Sequence, residues 1–288
     1  MQWFFKLLSK LPLACLRGIG GAVGALVFRS SKKMQRITKE NLCGAGFFNS
    51  EVYANSGREA GIQSLESIWV WYRPRDEVLK HVEVSDRAMK LIGDAMRDSS
   101  VPVVFMTPHI GCFEVLPVWL SRTFFKETGR NITVLFRPPK NALLRKIVGE
   151  ARQMPGVEAV PTTISGVKKV IKNLRLGHTF GALPDQVPSG GEGVWADFFG
   201  RPAYTMTLAV RVSDQFNARR IFAWGKRTEF GWQLDAVEWN DELSGCLEKD
   251  VLAMNRRIEE IIGMFPEQYA WSYNRYKCPR GVERPSTE

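Results

Sequence analysis

The sequence predicts an α/β protein: a mixed, mostly parallel central sheet with helices on both faces, preceded by an N-terminal hydrophobic membrane-anchoring helix. Three observations lead there. Segments of helical periodicity alternate with short apolar runs along most of the chain, the pattern of a sheet covered on both sides. The apolar runs at 101–106, 132–136 and 179–183 each give way to a proline-containing turn, as buried parallel strands do. Leu11 to Phe28 is an 18-residue apolar run whose one charge is Arg17, close to the length of about 20 residues that a spanning helix needs.

After that run, Asn49 to Tyr72 reads as a helix stopped by Pro74, and Asp86 to Asp98 as a second. Val101 to Met106 is the first core strand, followed by a helical stretch from about Cys112 to Phe124. Ile132 to Phe136 is the next strand and Ala142 to Gln153 the next helix. In Ser165 to Leu176 the residues Val167, Val170, Ile171 and Leu174 recur at i, i+3, i+4 and i+7, one face of a helix. Thr179 to Leu183 is the third core strand, Ala203 to Asn217 a helix and Arg220 to Trp224 a fourth strand. Phe230 to Val237 alternates as an antiparallel return would, and Leu247 to Met264 is a final long helix. No internal repeat or linker divides the chain after the first helix, which predicts two units: 1–30 as membrane anchor and 31–288 as the α/β domain.

Three readings compete for the N-terminal run: a cleaved signal, a buried core helix, and an uncleaved anchor that spans the bilayer or lies in its surface. Arg29, Lys32, Lys33, Arg36 and Lys39 follow it directly, a poor context for cleavage. Five cations after the run against two before it place the following domain on the cytoplasmic side. Trp3, Phe4 and Phe5 suit an interfacial anchor.

The net charge of +10, from 40 Lys and Arg against 30 Asp and Glu, favours polyanionic partners. The basic residues are scattered and no zinc-finger or RNA-recognition signature is present, so nucleic acid is not the expected partner. Five cysteines without a CxxC pair point to a reducing compartment and to neither a disulfide framework nor a zinc site.

Reactive groups in open α/β sheets collect beyond the carboxyl ends of the strands. Three such positions carry chemistry here: Thr107-Pro108-His109, Arg137, and Asp185-Gln186. Five positions separate His109 from Glu114, so the two cannot share one face of a continuous helix. With His109 in the loop and Glu114 in the first turns of the next helix, the side chains can converge, and Gly111 lets the backbone bend closely. A carboxylate on one ring nitrogen fixes the tautomer and raises basicity at the other. The competing structural reading makes His109 a cap and Glu114 a complement to the helix dipole. Arg137 suits a phosphate or oxyanion, or is simply a turn residue before two prolines. Asp185 orients Arg137, binds an acceptor, or is a turn aspartate. Cys112 reads as a small helix-lining residue rather than a nucleophile. Gly190, Gly191 and Gly193 do not have Walker spacing and suggest a flexible lid.

The chain resembles the late acyltransferases of lipid A biosynthesis, within the wider lysophospholipid-acyltransferase superfamily. The resemblance is carried by His109 to Glu114 after a strand and by Phe136-Arg137-Pro138-Pro139-Lys140-Asn141. Pro184-Asp185-Gln186 then leads into Phe198-Phe199-Gly200-Arg201-Pro202-Ala203, and Tyr269 to Lys277 (YAWSYNRYK) closes the set. Cys112-Phe113 departs from the Asn-Trp that the family often carries. The resemblance implies His109 and Glu114 as the catalytic pair, with Arg137 and Asp185 binding substrate. It implies acyl-acyl carrier protein as donor and a lipid A precursor as acceptor, at the cytoplasmic side of the bacterial inner membrane. No metal, cofactor or covalent intermediate is expected. The rival readings are an O-acyltransferase acting on another lipid, such as a lysophospholipid or aminolipid, and a non-catalytic membrane-tethered binding protein. A hydrolase is disfavoured, because no GxSxG elbow is present.

Overall fold

A computed structural model describes residues 2–138 and 142–285. Four helices come first: α1 (Gln2–Leu8), α2 (Leu13–Ser30), α3 (Lys32–Gly44) and the long α4 (Ser50–Tyr72). Polar caps set the starts of α3 and α4. Ser31 accepts from the Met34 amide ahead of α3, and Asn49 from the Glu51 amide ahead of α4. Then come α5 (Arg75–Leu79), β1 (Val82–Val84), α6 (Asp86–Arg97) and β2 (Val103–Met106). Beyond β2, α7 (Val115–Leu120) runs through a π turn at Ser121–Phe125 into α8 (Lys126–Thr128), which Gly129 ends in the left-handed conformation. The core continues with β3 (Ile132–Phe136), α9 (Ala142–Ala151), β4 (Val157–Pro161), α10 (Ile164–Arg175) and β5 (Thr179–Ala182). A hairpin of β6 (Gly193–Phe198) and β7 (Arg201–Met206) precedes α11 (Leu208–Gln215), β8 (Arg219–Arg227), β9 (Trp232–Glu238) and α12 (Leu247–Met264).

Seven strands form one sheet in the order β1-β9-β8-β2-β5-β3-β4. All neighbours are parallel except β8 and β9, which run antiparallel as the alternation at 230–237 predicts. Side chains alternate between the two faces of a strand, and each face has its own core. Val103, Phe105 and Ile132 pack with α6 and α7, whereas Val104, Met106 and Phe180 pack with α10, α11 and α12.

Two expected elements differ. The helix over 203–217 is confined to α11, because 201–206 forms β7. The two-residue turn Phe199-Gly200 has φ of +50° and +67°, the geometry that matches strand twist in a tight hairpin. The same hairpin takes up Gly193, so the stretch read as a lid is partly strand. Besides the hairpin strands β6 and β7, two more strands, β1 and β4, have no counterpart among the expected elements.

The N-terminal helix α2 lies antiparallel along α4. Leu13, Leu16, Arg17, Gly20, Gly21, Gly24 and Phe28 face inward, a single stripe at helical spacing. Backbone meets backbone there: a Cβ on Gly24 would lie 2.2 Å from the Gly57 carbonyl, and one on Gly61 2.1 Å from that of Gly20. At the start of α2, Arg17 Nε donates to Glu66 Oε1 at 2.7 Å, and its Nη groups donate to the carbonyls of Thr228, Glu229 and Gly231. Glu66, fully buried, also accepts two bonds from Arg227.

Candidate active site

The register of β2 and β5 builds the centre of the site. Met106 lies beside Ala182, and the Thr107 amide extends the pairing by donating to the Ala182 carbonyl at 2.9 Å. Three residues further on, the two chains carry His109 and Asp185, level with each other beyond the sheet. Asp185 takes both donors that His109 offers. Its Oδ2 accepts from the His109 amide at 2.9 Å and its Oδ1 from Nδ1 at 2.7 Å. Burial acts to raise the Asp185 pKa, but the adjacent His109 with the two bonds it donates, and the Arg275 guanidinium, outweigh it and hold the carboxyl below the ordinary range. With Nδ1–H committed to a carboxylate, Nε2 keeps its lone pair and accepts from the Gln186 side-chain amide at 3.0 Å.

Glu114 contacts Arg152 and not the imidazole that the spacing suggests. It sits at the N-cap position of α7, and its carboxylate is gripped by Arg152, with Nε donating to Oε1 at 3.0 Å and Nη2 to the same oxygen. The guanidinium of Arg152 in turn lies over the rings of Trp71 and Phe136. The reason lies in the intervening loop. Ile110 bridges to Tyr269, the Gly111 amide donates to the Gln268 carbonyl, and the Cys112 amide donates to that of Gly225. The loop is thereby stitched to β8 while His109 is held by Asp185 on the β5 side. Gly111 has φ of +53°, and a Cβ there would stand 2.2 Å from the Gly225 oxygen, so the expected close bend is present. Cys112 is fully buried and burial pushes its thiol well up, which fits a packing residue.

His109, Glu114, Arg137 and Gln186 all border one cavity of about 450 Å³, within the range of ligand sites. Alternation along the strands divides its lining. On the α7 side lie Phe105, Leu116, Leu120, Ile132, Val134 and Met154; on the α10 and α11 side lie Leu135, Phe180, Ala182, Val167 and Leu208. The His109 ring, stacked edge-on against Phe113 at 4.7 Å, stands where the two sides meet beyond the strand ends. The rim is polar: Arg137, Arg152, Glu192, Thr207 and Arg211 border it. Arg137 is exposed and reaches Ser189 Oγ at 3.4 Å rather than Asp185. Pro139, Lys140 and Asn141 lie outside the described residues.

Gln63 and Arg152 went unnoticed in the sequence. Gln63 on α4 donates to the carbonyls of His109 and Gly111, at 3.3 and 2.9 Å, and so ties the N-terminal helices to the His109 loop. Gln186 was marked with Asp185 as a strand-end position, and its contact with His109 Nε2 gives it a place in the site. The closing motif supports the site from behind. Arg275, buried, donates to the Tyr204 carbonyl and Thr205 Oγ1, and Tyr273 accepts from the Val187 amide. Among the described residues no cluster of His, Cys, Asp and Glu is arranged to hold a metal ion.

An imidazole beyond the end of a central strand, backed by a buried carboxylate and bordering a largely apolar cleft, is an arrangement in which a base can act on a lipid-like substrate. The family model described as bacterial lipid A biosynthesis acyltransferase matches residues 2–278, and the chain belongs to that family. It is 24% identical over 291 residues to the lipid A biosynthesis lauroyltransferase of Escherichia coli K12, covering 96% of this chain and 90% of the relative. It is 21% identical to the lipid A biosynthesis acyltransferase of Haemophilus influenzae, covering 93% and 84% of the two chains. It is also 23% identical to the lipid A biosynthesis acyltransferase 2 of Shigella flexneri, over 66% of this chain and 60% of that protein.

Proposed function

We propose that this protein moves a fatty acyl chain from acyl-acyl carrier protein to a hydroxyl of a lipid A precursor, at the cytoplasmic face of the bacterial inner membrane. The observation that carries the reading is the orientation of His109. Its Nδ1 side is locked by Asp185, and its Nε2 lone pair borders the cavity. The acceptor hydroxyl displaces the Gln186 amide from Nε2 and passes its proton there as its oxygen attacks the thioester carbonyl. The C–S bond breaks, and the proton leaves with the carrier thiolate. General-base assistance of this kind contributes roughly 10²–10⁴-fold. Asp185 serves as the orienting carboxylate. Glu114 holds Arg152 at the rim, where with Arg137 and Arg211 it faces the phosphates of the acceptor. The apolar walls take the acyl chain. The cations that follow α2 support the cytoplasmic placement.

The test is acyl transfer by purified His109→Ala, with acyl-acyl carrier protein as donor and a lipid A precursor as acceptor. Loss of transfer with unfolding unchanged is the expected result; undiminished transfer removes His109 as the base. Mass spectrometry of lipid A from cells with and without the chain identifies the acyl group added, and identical spectra would defeat the choice of acceptor.

A further inference from the structure

We infer that α2 does not cross the bilayer but lies along its surface as one half of an interfacial platform, with one side fastened to the enzyme and the other in the lipid. This rests on the membrane-surface reading above and specifies its geometry.

The buried stripe of α2 is fully committed to protein. Gly20 and Gly24 touch the α4 backbone at Gly57 and Gly61, and Arg17 is bound at four points to Glu66 and the β8–β9 turn. Removing α2 would take one of the two guanidiniums away from buried Glu66 and leave three carbonyls of the turn without their donor, and breaking a buried ion pair is strongly destabilising. Carrying α2 through the bilayer would therefore carry α4 with it. That helix holds Arg58, Glu59 and Glu66, and its Gln63 is bonded to the carbonyls of the His109 loop. The catalytic loop would then enter hydrocarbon, where polar backbone is excluded unless buried or wet. At 1.5 Å per residue the 18 residues of α2 also reach only about 27 Å, less than a hydrocarbon core of about 30 Å.

The opposite face of α2 is apolar and open. Ile19, Val23, Leu26 and Val27 are exposed along it, Leu26 to 68%, and Trp3, Phe4 and Leu7 on the preceding α1 are exposed too, Trp3 to 73%. Charge identifies the occupant. Across the first 40 residues eight cations stand against one carboxylate, that of Glu40. Lys6, Lys10, Arg29, Lys32 and Lys33 are exposed just before and after α2. An apolar stripe bordered by unpaired cations fits an anionic lipid surface, with the apolar side entering about 5–10 Å. A second copy of the chain would bring the same cations against each other.

Single cysteines at Lys10 and Lys32, both exposed and outside the catalytic site, flank α2 and test this in the full-length chain with its native cysteines replaced by serine. In inverted inner-membrane vesicles a membrane-impermeant maleimide should label both positions equally from the outside. Labelling of one position alone, with the other reached only after detergent, means that α2 spans and overturns the inference. A fluorophore on Val23→Cys should be quenched several-fold more by lipids brominated near the headgroup than by those brominated near the chain end. Reverse depth dependence, or Val23→Cys disulfide dimers without quenching, also overturns it. Acyl transfer in detergent micelles, measured on the same variants, reports the proposed activity separately. Failure to sediment with vesicles containing phosphatidylglycerol would remove the membrane itself as partner.

Discussion

Asp185→Asn is the perturbation that best separates the geometry seen here from the pairing suggested by HxxxxE spacing. Asp185 accepts from both the amide and Nδ1 of His109, and an asparagine can accept with one oxygen only. If its NH2 meets the ring, Nδ1 becomes the acceptor, Nε2 takes the proton and the base is lost. If its NH2 meets the main chain, the buried His109 amide is unpaired at about 1–3 kcal/mol. The rate loss should approach the general-base contribution of roughly 10²–10⁴-fold, or about 3–5 kcal/mol at 1.36 kcal/mol per decade. The assay is kcat with saturating acyl thioester, alongside denaturant unfolding, for Asp185→Asn, His109→Ala and the double variant. If the two residues act as one unit, the double variant is no slower than His109→Ala. Near-normal kcat in Asp185→Asn, or multiplying losses in the double variant, would refute the assignment.

Glu114→Gln should leave the imidazole held by Asp185 but loosen Arg152, so KM for a phosphorylated acceptor rises more than kcat falls; a collapse of kcat alone would return the orienting role to Glu114. Because the Asp185 carboxyl lies below its ordinary value of about 3.9, its contribution to stability is present above that pH. It is lost as pH falls through the folded-state value, so denaturant midpoints should decline on acidification and decline less in Asp185→Asn. Gly61→Leu drives a side chain into the Gly20 carbonyl; overpacking costs about 1–3 kcal/mol, and proteolysis should release the first 30 residues faster. Gly181 lines the cavity with room for a Cβ only 3.1 Å from Val134 Cγ1, so Gly181→Val should shift competition among acyl donors towards shorter chains.

Much of the scaffold was legible along the chain because it depends on local pattern. The apolar runs at 132–136 and 179–183 became β3 and β5, and the final helix begins and ends at Leu247 and Met264 as expected, since period-2 and period-3.6 burial are written directly in residue order. The helix expected over 203–217 shows the limit. Pro202 and the aromatic residues fit a strand only once Phe199-Gly200 turns with positive φ, a backbone state no single residue type announces. Composition likewise marked 11–28 as apolar without distinguishing a spanning helix from one laid against α4, because the decision rests on Gly57, Gly61 and Glu66, some forty residues away.

At the site, the sequence by itself determined which groups stand beyond the strand ends: His109, Arg137 and Asp185, each a few residues after a buried apolar run. Which of them meet was decided by strand order. Placing β5 directly beside β2 with Met106 level with Ala182 brings Asp185 to His109, although 76 residues separate them. Glu114, five residues away, is turned to Arg152 by a loop stitched to β8. Proximity in the chain restricts a side chain's reach only through the backbone between, whereas register in a parallel sheet fixes two distant residues at the same height.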